Sequence, residues 1–360
     1  MKKNVLLSLF FEKVLIIIVW LGIIIFFMYA GQIGNALSNK KYLNVLVWGQ
    51  VLDKEFISDF EKQTGIQVNM SYFENNEELL VKLQSSDHHD YDIIMPSDWA
   101  AQLMMQKGLI KKFDRTKITV WNNLYPALCN HYFDRNNEYT IPFYWSLFGL
   151  GVDTRYWKDQ KVPKTWGLIF DERIMPKRIS MVEDIRELVL IAALYLFGRY
   201  DQLSTAEIEQ IKKLLLMQKK HVEIYTDSRP EYVLASGSVP VVVSWFGDFL
   251  KIMRQFDYID FVIPQEGAFV VIDSFAMTSA TQKDEMIYAF LNYLFQPHVV
   301  KQYVEKFDFF PAVKIEMEVE QDKRMAAFMH PTKELFERVN FFKNVVPHTV
   351  LNEVLIELKR

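Results

Sequence analysis

The sequence predicts an α/β protein of two lobes, each a mainly parallel sheet flanked by helices. Three observations carry that expectation. Strand-length apolar runs alternate with helix-period segments in two separate parts of the chain. Two long apolar stretches, 139–154 and 268–279, are placed to cross between those parts. The length, 360 residues, is that of two ordinary domains.

The elements follow in order. LNVLVW (43–48) is a continuous apolar run, short enough for a buried strand. KEFISDFEKQTG (54–65) has helical spacing and stops at Gly65. IQVNMSYF (66–73) alternates like a strand, and NEELLVKLQS (76–85) reads as a helix. YDIIMPS (91–97) is a strand cut off by Pro96, and DWAAQLMMQKG (98–108) is a helix ending at Gly108. A second unit begins with RISMVE (178–183) as a strand and DIRELVLIAALYLFG (184–198) as a helix. TAEIEQIKKLLLMQKK (205–220) is an amphipathic helix and SVPVVVSW (238–245) a strand. YTIPFYWSLFGLGVDT (139–154) is too rich in glycine, and bears a proline too many, for one helix. AFVVIDSFAMTS (268–279) would cross back, and the tail beyond Pro297 reads as helical and charged. The expected units are 1–36 as a signal peptide or membrane anchor, 41–149 with 274–314 as the first lobe, and 150–273 with 315–360 as the second.

Composition narrows the function. Half the residues are hydrophobic and 24% charged, which excludes wholesale disorder. A net charge of −4 disfavours a nucleic-acid partner. A single cysteine, Cys129, excludes an internal disulfide and a cysteine-rich zinc site. With 28 Phe, 17 Tyr and 8 Trp there is aromatic surface for a stacking pocket as well as a core. Lys2, Lys3 and Lys13 precede the uncharged run Val14–Ala30, the layout of an export signal, with Gly34 and Ala36 suited to a cut after Ala36. The run is also near the length of a spanning anchor, so cleavage and retention both remain open. The first 36 residues carry +2, which leaves −6 on the exported part and favours a cationic partner.

In open parallel sheets, ligands bind beyond the carboxyl ends of the strands. Trp48 ends the first strand. Ser97 ends the third, followed by Asp98 and Trp99. Asp184 and Glu187 follow RISMVE; Trp245 ends SVPVVVSW, with Asp248 three residues on; Asp273 lies in the second crossing stretch. Carboxylates gathered in a partly dry cleft want a cation. Indole faces attract ammonium groups and cover methylenes. A flexible aliphatic cation with two or more ammonium groups meets both demands. Each residue also has a structural alternative. Asp184 and Glu187 form the D-x-x-E of a capping box. Asp248, Ser97 and above all Asp98 could cap helices, and Trp48 could be core.

These residues also carry a likeness. The chain resembles the periplasmic spermidine/putrescine-binding proteins of ABC transporters from about Leu43 to the C-terminal region. VLVWGQ, FEKQTGIQV, YDIIMPSDW, YTIPFYWSLFGLGVDT, EDIRE, SWFGD, IPQEGAFVVIDSFAM and FLNYLFQPHVV carry it, in that order and spacing. The resemblance implies a type II periplasmic-binding-protein fold that closes over a polyamine and passes it to an inner-membrane permease. It implies a binding protein without cofactor or catalysis, expected as a periplasmic monomer; an anchor retained through 14–30 would be unusual for the family. Ligand-binding positions implied are Trp48, Ser97, Trp99, Asp184, Glu187, Trp245, Asp248 and Asp273. Departures are Val51 for a tyrosine, Val271 for an aromatic, Phe309 for a tyrosine, and Phe342 or Lys343 at a late glutamine.

Rival readings have less support. A carboxylate pair could serve glycoside hydrolysis, but nothing else in the sequence favours it. His88, His89, Asp90 and Asp92 could hold a metal, though a polar turn accounts for them. The same fold could instead take another small cation, or signal from the membrane. No phosphate-cradling glycine loop or Ser-His-Asp motif appears.

Overall fold

A computed structural model describes residues 15, 18–24, 41–49, 51–85, 90–158, 160–308, 310–315, 323–326 and 330–360. Lys2, Lys3, Lys13, Gly34, Ala36 and most of Val14–Ala30 lie outside them, as do His88, His89 and Phe309. Among the described residues no helix is long and apolar enough to cross a membrane.

The apolar runs become buried parallel strands. β1 (Tyr42–Trp48) pairs in parallel with β2 (Gln67–Phe73) on one side and β3 (Ile93–Ile94) on the other. The helices Lys54–Thr64 and Asn76–Ser85 lie along the chain between these strands. The first is capped by Asp53, which accepts from the Glu55 N–H, and is stopped by Gly65 at φ 69°. β3 is shorter than the 91–97 expected, because Pro96 has no N–H to continue the ladder. Its continuation, Ser97, meets Asp273 in an isolated bridge. β4 (Ile110–Lys111) adds a further short pairing.

A second parallel triplet mirrors the first. β6 (Ile179–Met181) lies between β7 (Val222–Tyr225) and β8 (Val241–Trp245). Helix Ile185–Phe197 ends at Gly198, φ 65°, and helix Thr205–Lys219 starts in a full capping box of Ser204 and Glu207.

Two long antiparallel strands join the triplets. β5 (Ile141–Asp153) pairs with β8, with β9 (Ile259–Val262) and with β10 (Ala268–Thr278). β10 runs against β5 over Phe269–Phe275, then against β3 at Ala276 and Met277, with a register shift between Asp273 and Ser274. The resulting order is β2-β1-β3-β10-β5-β8-β6-β7. The two stretches read as crossings are thus the shared strands of one continuous sheet. β5 needs its glycines for close approach: a Cβ at Gly149 would lie 2.8 Å from the Val262 carbonyl oxygen.

The tail is not wholly helical. Between helices Pro297–Phe307 and His348–Lys359 it lays β11 (Phe310–Pro311) on β5 and β12 (Val339–Phe341) on β10. Both occupy hydrogen-bonding edges of the crossing strands that would otherwise stand open. One large apolar core surrounds β1, β10 and the middle of β5; another packs helix Ile185–Phe197 against Phe148, Val241 and Val243.

Candidate functional site

The carboxyl ends of β1, β3, β6 and β8 converge on two adjoining cavities, of about 230 and about 340 Å³. Trp48, Ser97, Trp245 and Val271 line both. Trp99, Asp184 and Glu187 line the first, Asp248 and Asp273 the second. All eight residues singled out from the sequence therefore share one cleft.

Asp273 is deeply buried in it, 3% exposed. It accepts from the Ser97 hydroxyl at 2.5 Å and from Trp48 Nε1 at 3.1 Å, and Tyr144 also hydrogen-bonds it. Burial pushes its pKa to about 6 against these stabilising donors. Asp248 accepts from the Ser244 hydroxyl at 2.5 Å, and burial raises it to about 6 as well. Glu187 is held well above the usual carboxylate range by burial and by Asp184 and Asp227 nearby. No hydrogen-bond donor among the described residues reaches its carboxylate.

The capping alternatives resolve one by one. Asp184 does cap its helix, accepting from the Arg186 N–H at 2.7 Å, while still facing the cleft. Asp248 is not an N-cap; Trp245 holds that position and Asp248 sits in the first turn. Ser97 occupies the N-cap of helix Asp98–Gln106 but gives its hydroxyl to Asp273 and makes no side-chain cap bond. Asp98, expected as the cap, lies inside that helix. Its carboxylate takes the Tyr132 hydroxyl at 2.8 Å and the Ile272 N–H at 3.3 Å, and burial lifts it to about 7. Trp48 packs on Phe73 with ring centroids 4.5 Å apart and also faces the cleft. Of the two candidates at the late position, Phe342 lines the cleft, stacked on Phe269 at 4.1 Å. Lys343 instead sits over the rings of Tyr132 and Tyr200 and is absent from the cavity walls. Val51 is buried in the core away from the cavity walls.

Sequence reasoning missed several wall residues. Glu74 lies just before the helix that follows β2 and Glu77 in its first turn; Arg186 lies between Asp184 and Glu187; Asp227 and Asp308 stand in loops. Arg186 had a signal: a cation inside EDIRE is out of place in an acidic cleft unless something pairs it. In all, nine carboxylates and one guanidinium line the two cavities among the described residues. Asp308 is neutralised by Arg254 at 2.9 Å, and Glu77 by Arg186 at 2.8 Å. The balance remains strongly negative, so the cleft suits a cation. No metal-binding cluster occurs among the described residues.

The sequence pattern of bacterial extracellular solute-binding proteins matches residues 55–327. The chain belongs to that family. This solute-binding protein is 28% identical over 258 residues to the spermidine/putrescine-binding periplasmic protein of Escherichia coli K12, covering 72% of this chain and 74% of the relative. It is 28% identical over 302 residues to the putrescine-binding periplasmic protein PotF of the same organism, covering 78% and 80%. The crystal structure of the spermidine/putrescine ABC transporter substrate-binding protein PotD from Streptococcus pneumoniae superposes with a TM-score of 0.74 at 20% identity, over 89% of this chain and 98% of that one. The fold is thus the type II periplasmic-binding-protein fold, and the protein works outside the cytoplasm as a solute carrier of that family.

Proposed function

We propose that the protein captures a polyamine in the cleft and hands it to an inner-membrane ABC permease. The observation that carries this reading is the company of Asp273: a buried carboxylate beside Trp48, with Asp248, Glu187 and Trp245 on the walls of the same cleft. Ammonium groups would pair with Asp273, Asp248, Asp184 and Glu187 while indoles cover the methylenes. Cavities of about 230 and 340 Å³ joined at Trp48 and Trp245 suit an elongated ligand. Relatives named for spermidine and putrescine support the ligand class. The moving bodies are 41–149 with 274–314 and 150–273 with 315–360, flexing at β5 and β10. A ligand touching both bodies favours the closed state. The protein acts as a periplasmic monomer, without catalysis or cofactor. Either release after Ala36 or an anchor at 14–30 is compatible with this role.

Calorimetric titration with putrescine, cadaverine, spermidine and spermine at two salt concentrations tests the proposal. One-to-one binding of at least one of them, weakening with salt, is the expected result. A folded, ligand-free protein that binds none would overturn it.

A further inference from the structure

Among the described residues Arg186 is the one cation in the walls of this acidic cleft, and its contacts cross the cleft. It stands in the first turn of helix Ile185–Phe197, directly after β6. Its Nη2 donates to Glu77 Oε1 at 2.8 Å, on the helix that follows β2 in the other triplet. Its guanidinium lies over the ring of Trp99, 4.3 Å from the centroid, on the helix that follows β3. On its own side it has Asp184, with Nη1 4.0 Å from Oδ2, and it also attracts the Glu187 carboxylate on the same helix. Arg186 is 8% exposed, as is Trp99, so the stack is screened from water.

From this geometry we infer that Arg186 is an interlobe latch: a built-in cation that holds the cleft closed through Glu77 and Trp99. The inference rests on the closing-cleft reading above but not on the identity of the ligand. A planar, always charged guanidinium suits the task, because one group can stack on an indole and fork to carboxylates at once. The latch is built to release. Glu77 is half-exposed, and Arg186 Nε is buried without a hydrogen-bond partner, so the closed contact is incompletely satisfied. Arg186 also takes the face of Trp99 that the sequence assigned to the ligand. It is therefore a positioning residue: it acts on closure, and only through closure on affinity.

Small-angle scattering and calorimetry of wild type, Arg186→Gln, Glu77→Gln and the double variant test this. The expected result is a larger radius of gyration for each ligand-free variant than for wild type. Affinities for putrescine and spermidine should fall alike, by about tenfold, through faster dissociation. The double variant should lose no more than either single one, and Arg186→Lys should recover part of the loss. Glu77→Gln, at a half-exposed position, keeps the test alive if the buried arginine variant folds poorly. A gain in spermidine affinity with putrescine unchanged would overturn the latch, showing that Arg186 blocks a ligand subsite. Unchanged scattering and affinity would overturn it too. If wild type binds neither polyamine yet the variants still expand, the latch stands and the polyamine reading falls.

Discussion

Replacing Asp273 with asparagine should separate stability from affinity, moving them in opposite directions. In the free protein the buried carboxylate titrates at about 6, against an ordinary value of 3.8. At about 1.4 kcal/mol per pH unit, that displacement costs the folded state about 3 kcal/mol at neutral pH. The folded pKa lies above the unfolded one, so the native state holds the proton longer. Stability contributed by this group is therefore lost as pH rises from about 4 to about 6. An asparagine oxygen in the place of Oδ1 keeps Ser97 and Trp48 satisfied, and the Tyr144 hydroxyl can accept as well as donate. Ligand-free Asp273→Asn should thus be no less stable than wild type at pH 7.5, and up to about 3 kcal/mol more stable. With ligand the sign reverses. An ammonium buried beside an amide loses a charged partner worth about 2–4 kcal/mol, or about 30- to 1,000-fold in affinity. A thermal-shift series reads both effects. Ligand at 100 times the wild-type Kd adds about 2.7 kcal/mol to wild type, but only about 0.9 kcal/mol to a variant weakened 30-fold. Unchanged affinity, or a ligand-free variant that melts well below wild type, would refute the reasoning.

The remaining predictions are simpler. Asp273 and Asp248 both titrate near 6 in the free protein and must ionise to pair with a cation. Affinity for putrescine should therefore drop by up to about a hundredfold between pH 7 and pH 5, with proton release on binding visible by calorimetry in buffers of different ionisation enthalpy. A flat profile would count against both groups as ligand partners. Gly149→Ala should cost about 1–3 kcal/mol by denaturant titration, since its Cβ meets the Val262 carbonyl oxygen at 2.8 Å. Ser204→Ala should cost about 0.5–2 kcal/mol by removing the capping box of helix Thr205–Lys219, and should leave polyamine affinity untouched.

Much of this was legible because burial writes itself into composition. LNVLVW could only be a strand covered on both faces, and Gly65 and Gly198 stop their helices at the left-handed positions they were expected to hold. The rule that ligands gather at strand carboxyl ends placed Trp48, Ser97, Asp184 and Trp245 in one cleft before any coordinates. What stayed hidden depends on long-range pairing. β7, β9, β11 and β12 are two to four residues each, too short for a period, and exist because neighbouring strands offer them edges. Asp98 looked like a cap because its local sequence is that of one; only Tyr132 and the Ile272 amide, both distant in sequence, draw its carboxylate elsewhere. The role of Arg186 is hidden for the same reason, since Glu77 lies 109 residues away.

The register shift between Asp273 and Ser274 falls two residues before β10 passes from β5 to β3. A buried carboxylate of the cleft thus sits on the strand at which the proposed closure would flex. Rotation displaces an atom in proportion to its distance from the axis. Under that proposal Asp273, Ser97 and Trp48, tied together there, would travel little as the cleft opened, whereas Arg186 and Glu187 would sweep further. An open molecule would then present part of its proposed recognition surface already assembled, and an incoming ligand would be gripped first at the pivot before the outer wall swung onto it.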